Sequence, residues 1–581
     1  MTAVSASRPR MPSWTRPTRL SSAVFAAKVA AFRARRALRD LAGGPPRLDR
    51  AEAAGFPMEA GAVVTPLWSD GAPAERTWQL GKVENLRIAC RALDGRVIPA
   101  GTVFSFWRQV GPPLAARGFV RGRMLQQGCM VPAVGGGLCQ LSNALYDAAL
   151  QAGCRIVERH PHSRIVPGSA AAWGRDATVA WNYVDLRFAP TRDLRLTARL
   201  TREGLVVRLA GRPDATPARA TDPDAVALPE AAARDCATCD ETECFLHEHG
   251  ERAAPVLPGR RVFLVDEAWP EFQAHVADVR AGDDRLGLPL DGARLGLARY
   301  AWPTAGFGRT ASAPVATLRR TLAQRSAGLQ GAARRGAELD AAERIAGVLA
   351  RRLLTLDVTA VTVAQSYLPF LHRGGWLGGR EVSVLMTRLP MAVLQARLDA
   401  AAARHPDLAT LGDFRAPAWL AEAEAEALAG ADRIVTPHAE IAALFGDRAV
   451  RLAWAAAQPG GRSAPVAGRI AFPGPTVARK GAHALREAAR ALDLEVIPLG
   501  AELEGDGFWD GVRTVKADWR TAAAMVQPAL VEDQPRRLLA ALAAGVPVIA
   551  TPACGLDPQP GLTLVAPDDP AALMAALRGA L

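Results

Sequence analysis

A cysteine set just behind three glycines is the most chemically pointed feature of this 581-residue chain. In Val134-Gly135-Gly136-Gly137-Leu138-Cys139-Gln140-Leu141-Ser142-Asn143-Ala144-Leu145-Tyr146, the apolar positions Leu138, Leu141, Leu145 and Ala148 recur at helical steps, with Gly153 as the stop. The glycines admit a tight turn or a close backbone approach. Cys139 then falls in the first helical turn, where unpaired N–H groups and the macrodipole favour an anion, so its thiolate is expected to form readily. A base must stand beside it, and His160 and His162 follow in the chain, with Asp176 available to orient an imidazole. The order cysteine, histidine, acid suits attack of a polarised thiolate on an amide or ester carbonyl. Period two along Arg155 to Arg159 puts Ile156, Glu158 and His160 on one strand face, which makes His160 the expected partner. Two other readings stand beside this one. Cys139 is equally a small buried hydrophobe, and Trp107, Trp173, Trp181 and Tyr183 with Arg159, Arg175 and Arg187 form a groove that binds a sugar or muropeptide without turnover.

A second constellation is Cys236, Cys239, Cys244 and His249, whose gaps are those of a zinc knuckle with the last two ligand types exchanged. A set of three cysteines and one histidine suits tetrahedral Zn2+, so a structural zinc is the one cofactor expected; a redox-active linker is the alternative. Asp240, Glu241, Glu243 and Glu248 lie inside the cluster and repel phosphates, so no nucleic-acid partner is expected.

Several domains must position these groups, because 581 residues exceed one core. Residues 1–46 are a basic, partly disordered segment; the first forty carry a balance of +8, leaving +4 of the net +12 for the rest. Arg8, Arg10, Arg16 and Arg19 alternate with prolines, and a helix follows with Phe25, Val29 and Phe32 on one face. That helix suits either an anionic membrane surface or packing on its own domain. Residues 47–212 read as an α+β domain with antiparallel strands: Arg155 to Arg159, an alternating Val179 to Phe188, and a hairpin of Leu194 to Leu200 with Leu205 to Leu209. Residues 213–258 are a linker holding the cysteine cluster. Beyond residue 259 strands alternate with alanine-rich helices, giving two Rossmann-like units, 259–467 and 468–581, with a cleft between them. No apolar run is long enough to cross a bilayer and no secretory signal stands at the N-terminus, so the expected place is the cytoplasm or the inner face of the membrane.

The first domain resembles the VanW family, bacterial proteins associated with glycopeptide resistance. The likeness runs from Asn85-Leu86-Arg87-Ile88-Ala89 through Ile98-Pro99-Ala100-Gly101-Thr102-Val103-Phe104-Ser105-Phe106 and the glycine-cysteine stretch. It continues through Ile156-Val157-Glu158-Arg159-His160-Pro161-His162-Ser163 to Gly174-Arg175-Asp176-Ala177-Thr178-Val179 and Asp185-Leu186-Arg187-Phe188. It implies a fold and a cell-envelope association without a settled reaction. The last unit resembles GT-B-fold glycosyltransferases. Arg469-Ile470-Ala471-Phe472-Pro473-Gly474 is a strand and turn, and Lys480-Gly481 opening the helix Ala482 to Leu492 resembles the phosphate-contacting lysine of that family. Gln527-Pro528-Ala529-Leu530-Val531-Glu532, followed by Leu542-Ala543-Ala544-Gly545-Val546-Pro547, resembles its donor-sugar and ribose segment. The chain departs from that pattern where Ala540 replaces the second glutamate and Pro475 the turn arginine, for which Arg479 is the substitute.

The resemblance implies a glycosyltransferase-like protein that takes a nucleotide sugar through Lys480, Glu532, Arg479 and Gly474, with a glycan or cell-wall precursor held near Trp181 and Arg175. The alternatives are a non-catalytic glycan-binding scaffold and a Cys139-dependent hydrolase or transferase.

Overall fold

The computed structural model describes residues 18–69, 73–126, 129–162, 175–213, 234–235, 257–328, 331–458 and 460–580. The tail before Thr18, Trp173 and the set Cys236, Cys239, Cys244 and His249 lie outside the described residues. The chain divides into two compact units, Met1–Gly259 with Gly374–Arg380, and Arg260–Arg373 with Glu381–Leu581.

Unit 1 is built on antiparallel pairing. β1 (Met58–Pro66), β9 (Gly204–Gly211), β8 (Leu194–Leu200) and β2 (Val97–Ile98) form one sheet in that order. β3 (Phe104–Ser105), β7 (Arg187–Ala189) and β6 (Arg155–Glu158) form a second in the order β3-β7-β6, and β4 (Arg121–Gln126) with β5 (Cys129–Val134) makes a hairpin extended by β10 (Arg234–Asp235). Among its helices are α1 (Arg19–Leu41), α2 (Pro73–Leu93), α3 (Phe106–Val110) and α4 (Cys139–Gln151). Leu141, Leu145 and Ala148 of α4 are buried against Leu196, Val207 and Leu209 of the first sheet, which realises the helical period of the sequence. Gly153 ends α4 with φ 67°, a left-handed conformation suited to glycine.

The α1 helix packs on its own unit. Arg36 makes a bidentate pair with Glu158 at 2.5 and 2.7 Å, Arg33 donates to the Trp181 carbonyl, Arg187 pairs with Asp40, and Phe32 stacks on Tyr183. One expected strand is shorter than the alternation predicts. Val179 to Phe188 contributes only β7, because Asn182 turns back at φ 51° and Ala180 bridges Val184 across that turn. Alternating side chains do not fix an extended backbone when a left-handed residue closes a local loop.

Unit 2 holds two parallel sheets. The first has seven strands, β13 (Arg309–Ser312), β12 (Arg285–Leu288), β11 (Arg260–Leu264), β14 (Val358–Ala364), β15 (Glu381–Leu385), β16 (Arg433–Thr436) and β17 (Ala449–Arg451). The second has six, β20 (Arg513–Thr514), β19 (Glu495–Pro498), β18 (Val466–Phe472), β21 (Ala522–Gln527), β22 (Val548–Ala550) and β23 (Leu562–Leu564). Both run third, second, first, fourth, fifth, sixth in chain order, the doubly wound Rossmann sequence, and the first sheet adds a seventh strand at its edge. Central strands are covered on both faces, which is why β21 is buried at every residue and reads as an apolar run. The region is therefore GT-B-like, and its strand order reverses beside β18 and β21, where such sheets bind ligands.

Candidate functional sites

The glycine turn before Cys139 is fixed by backbone packing. Gly135 and Gly137 hold φ of 81° and 92°, and a Cβ on Gly136 would lie 2.2 Å from the Gly122 carbonyl oxygen. Asn85 is fully buried on α2; its Nδ2 donates to the Gly136 and Val120 carbonyls and its Oδ1 accepts from Val120 N–H. The turn is thereby stapled to α2, and α4 starts at Cys139.

The start of α4 also grips the segment that carries the acid. Asn143 Oδ1 accepts from Ala177 N–H at 2.8 Å, and Ser142 Oγ donates to the Ala177 carbonyl at 2.5 Å. Thr178 N–H donates to the His160 carbonyl at 2.7 Å, tying this segment to the stretch after β6. Those bonds bring Asp176, His162 and Cys139 together. Asp176 Oδ2 lies 2.8 Å from His162 Nδ1 and accepts the His162 backbone N–H at 2.7 Å. Its Oδ1 accepts from Arg159, whose guanidinium also stands over the Tyr146 ring. His162 lies close enough to the Cys139 thiol to act on its charge, and Cys139 Sγ lies 3.6 Å from Thr178 Oγ1 and 3.9 Å from the Val179 carbonyl oxygen.

The structure places His162, and not the expected His160, beside Asp176 and Cys139. His160 is 47% exposed at the side chain and pairs with Glu158 at 3.3 Å. β6 ends at Glu158 and its register shifts between Ile156 and Glu158, so alternation counted along it does not reach His160.

The electrostatics follow the geometry. Burial alone would raise the Cys139 thiol, but the hydrogen bond and charge of His162 outweigh it and leave Cys139 below its ordinary value. Burial opposes charge on His162 as well, yet Asp176 and Cys139 push it up to about 10. Asp176 is held below the usual carboxylate range, the His162 and Arg159 contacts overcoming its burial. Such a set favours a thiolate-imidazolium pair with a carboxylate behind it. Sequence reasoning missed Lys82, whose stem packs on Gly137 and whose ammonium burial pulls down to about 8; only its place one helical turn before Asn85 could have drawn notice. Trp181 packs edge-on to Trp107 at 5.4 Å and is partly buried, while Arg175 pairs with Asp147 at 3.1 Å.

In unit 2 the structure brings Lys480, Glu532, Arg479 and Gly474 to one crevice. Lys480 Nζ is 2.7 Å from Glu532 Oε2, whose other oxygen accepts the N–H groups of Asp533 and Gln534 at 3.0 and 2.9 Å. Gln527 also donates to Glu532. A Cβ on Gly474 would lie 2.6 Å from Lys480 Cδ, so glycine there clears the path of the lysine. Gly481, at φ 79°, lets its backbone meet the Pro528 carbonyl. Arg479, Arg388 and Arg335 surround the Phe414 ring, with centroid distances of 5.3, 4.7 and 4.7 Å. Phe414 itself sits at φ 67°, a backbone state that bulky residues seldom hold. Arg388 pairs with Asp533 at 2.9 Å, and the remaining cavity is about 100 Å³. No helix among the described residues is long and apolar enough to cross a membrane.

Known proteins match the two units separately. A family model described as VanW like protein matches residues 81–210, and one described as glycosyl transferases group 1 matches residues 469–581. The Bacillus subtilis (strain 168) protein YoaR, described as uncharacterized, is 35% identical over 120 residues, which is 21% of this chain and 39% of that protein. The vancomycin B-type resistance protein VanW of Enterococcus faecalis is 32% identical over 126 residues, 21% of this chain and 45% of that protein. The chain thus spans less than half the length of these curated relatives. Among solved structures, an E. coli structure described as trehalose-6-phosphate bound with UDP-2-fluoro glucose covers 55% of this chain, with 91% of its own covered, at 12% identity and a TM-score of 0.34. Anabaena Alr3699/HepE in complex with UDP covers 55%, with 89% of its own covered, at 13% identity and a TM-score of 0.32. Likenesses of that size carry no argument about function. The chain joins a VanW-like domain to a glycosyltransferase group 1 domain.

Proposed function

We propose that unit 1 performs acyl transfer or hydrolysis through a Cys139 thiolate, acting on an amide or ester of a cell-wall or glycan precursor. The observation that carries this reading is the juxtaposition of Cys139, His162 and Asp176, with His162 Nδ1 2.8 Å from Asp176 Oδ2 and His162 acting on the Cys139 thiol. In the reaction the thiolate attacks the carbonyl carbon, and the C–N or C–O bond breaks as His162 gives its proton to the leaving amine or alcohol. A thioester on Cys139 remains. Water or an acceptor amine then attacks it, passing a proton back to His162 and freeing the thiol as thiolate. Asp176 keeps the imidazole in one orientation and balances its charge. The cell-wall class of substrate is supported by the name of the E. faecalis relative. The test is peptide mass spectrometry of the full chain after incubation with muropeptides and activated esters. An acyl adduct on the Cys139 peptide, absent in Cys139→Ser, is expected; its absence with every substrate, while Cys139 is reactive toward alkylating agents, counts against the reading.

The match at residues 469–581 supports a second, glycosyltransferase-like activity in unit 2. Its specific basis is Lys480 and Glu532 meeting at the strand-order switch between β18 and β21. Donor binding requires Lys480 to exchange Glu532 for a diphosphate and Phe414 to yield space, because about 100 Å³ is less than a nucleotide sugar fills. Lys480→Ala is expected to weaken binding of a nucleoside diphosphate by about 1.5 to 3 kcal/mol, roughly ten- to a hundredfold. Isothermal titration with a panel of nucleoside diphosphates and nucleotide sugars reads this out, and the absence of heat with any of them supports the non-catalytic scaffold instead.

A further inference from the structure

Apart from the thiol site and the Lys480 crevice, three metal-ligating side chains meet where the two halves of unit 2 adjoin. His405 follows the helix Met391–Arg404 of the first half; His483 lies in the first turn of the helix Ala482–Ala491, and Asp568 stands just before the helix Pro570–Ala580 of the second. Asp568 Oδ1 is 3.2 Å from His405 Nε2 and 3.4 Å from His483 Nε2. All three ligand atoms lie within 4.8 Å of one another. A tetrahedral Zn2+ with bonds of about 2.0–2.1 Å holds its nitrogen and oxygen ligands roughly 3.3 Å apart, so both measured separations are those of tetrahedron edges.

The surroundings favour a ligand set over a chance meeting of side chains. Asp568 holds φ 57°, a state uncommon outside glycine, and Arg404 takes its second oxygen at 2.5 and 2.6 Å. An outer hydrogen bond of that kind fixes the direction of a ligating carboxylate. His483 and Asp568 are 4% and 8% exposed at the side chain, whereas His405 is 29% exposed, which leaves one side open for a water as fourth ligand.

We propose that His405, His483 and Asp568 form a site for a zinc-type divalent cation that ties the two halves of unit 2 together. The ion would pin the helix whose start carries Lys480 and Gly481, and so set the width of the crevice. The site uses none of the cysteines between residues 236 and 244 and does not depend on either proposed activity.

The test uses the full chain with Cys236→Ser, Cys239→Ser and Cys244→Ser, freed of metal by a chelator and titrated calorimetrically with Zn2+. About one ion per chain is expected. In that background His405→Ala, at the most exposed ligand, and Asp568→Asn, a near-isosteric change, should each weaken binding by roughly a hundredfold, at least what loss of an outer-shell partner costs. Circular dichroism reports that the variants are folded. Co2+ should give tetrahedral visible bands without a thiolate charge-transfer band. No Zn2+ uptake, uptake unchanged by both substitutions, or a thiolate band from another cysteine would each overturn the site.

Discussion

Exchange of His162 for glutamine perturbs the candidate thiol site at its most tightly held contact. In the folded chain burial works against the imidazolium, and Asp176 and Cys139 nonetheless raise His162 from 6.5 to about 10. At 1.36 kcal/mol per pKa unit, this is about 4 to 5 kcal/mol in favour of the charged ring. The side chain is only 8% exposed, so water screens little of it. Because the folded value lies above the unfolded one, this stabilisation is complete below about pH 6.5 and is lost as the pH rises through about 10. Without His162, less opposes the burial of Cys139, and its thiol rises from its lowered state toward the ordinary 9.0. At pH 7 a thiol titrating at that value is thiolate in about 1% of molecules. The thiolate is the reacting species, so wild-type Cys139 should alkylate with iodoacetamide at neutral pH more than about tenfold faster than in His162→Gln, part of the gain being returned through lower nucleophilicity. Pulse alkylation across a pH series, followed by peptide mass spectrometry, separates Cys139 from Cys90, Cys154 and Cys554, whose thiols burial pushes up. His160→Gln should leave the profile in place. Equal rates and equal pH midpoints in wild type and His162→Gln would refute the reasoning, as would loss of reactivity in His160→Gln alone.

Three further perturbations probe the scaffold. Asp176→Asn leaves Arg159 and His162 without their buried counter-charge and should cost about 3 to 5 kcal/mol, read as a lower urea midpoint. Gly136→Ala forces a methyl group against the Gly122 carbonyl and should cost about 1 to 3 kcal/mol while slowing Cys139 alkylation; Gly55→Ala, with open space around it, is the control. Glu158 is held down to about 2, its contacts with His160, Arg36 and Arg187 overcoming burial, so its contribution is present above about pH 4.5 and lost as the pH falls toward 2. Arg36→Ala should therefore remove about 1 to 3 kcal/mol at neutral pH and flatten the acid limb of a stability profile measured by denaturant.

Several features of this protein are fixed by local residue pattern. The helix beginning at Cys139 is written in the spacing of Leu141, Leu145 and Ala148, because a helix buries one face whatever it packs against. The strand of β11, β14 and β21 is legible for a similar reason: a strand covered on both sides must be apolar throughout. Short edge strands such as β13, β17 and β20 carry no such demand and are invisible until their neighbours form. Lys480 at a helix start and Glu532 after a strand end were readable too, since doubly wound topology delivers both to the same crevice edge.

What the sequence left open is which groups meet across distance. His160 and His162 are equivalent as residue types, and the chain chooses between them only when Asn143 and Ser142 clasp Ala177 and Thr178 bonds the His160 carbonyl. Those are contacts between segments distant in the chain, and a periodicity counted along one strand ends with β6 at Glu158. The Phe414 ring among three arginines, and the meeting of His405, His483 and Asp568, likewise join side chains far apart in the chain. Local pattern specifies which elements form because helix and strand burial are short-range demands; the pairing of charges and ligands belongs to the tertiary structure, because their energies depend on distance and desolvation that packing alone sets.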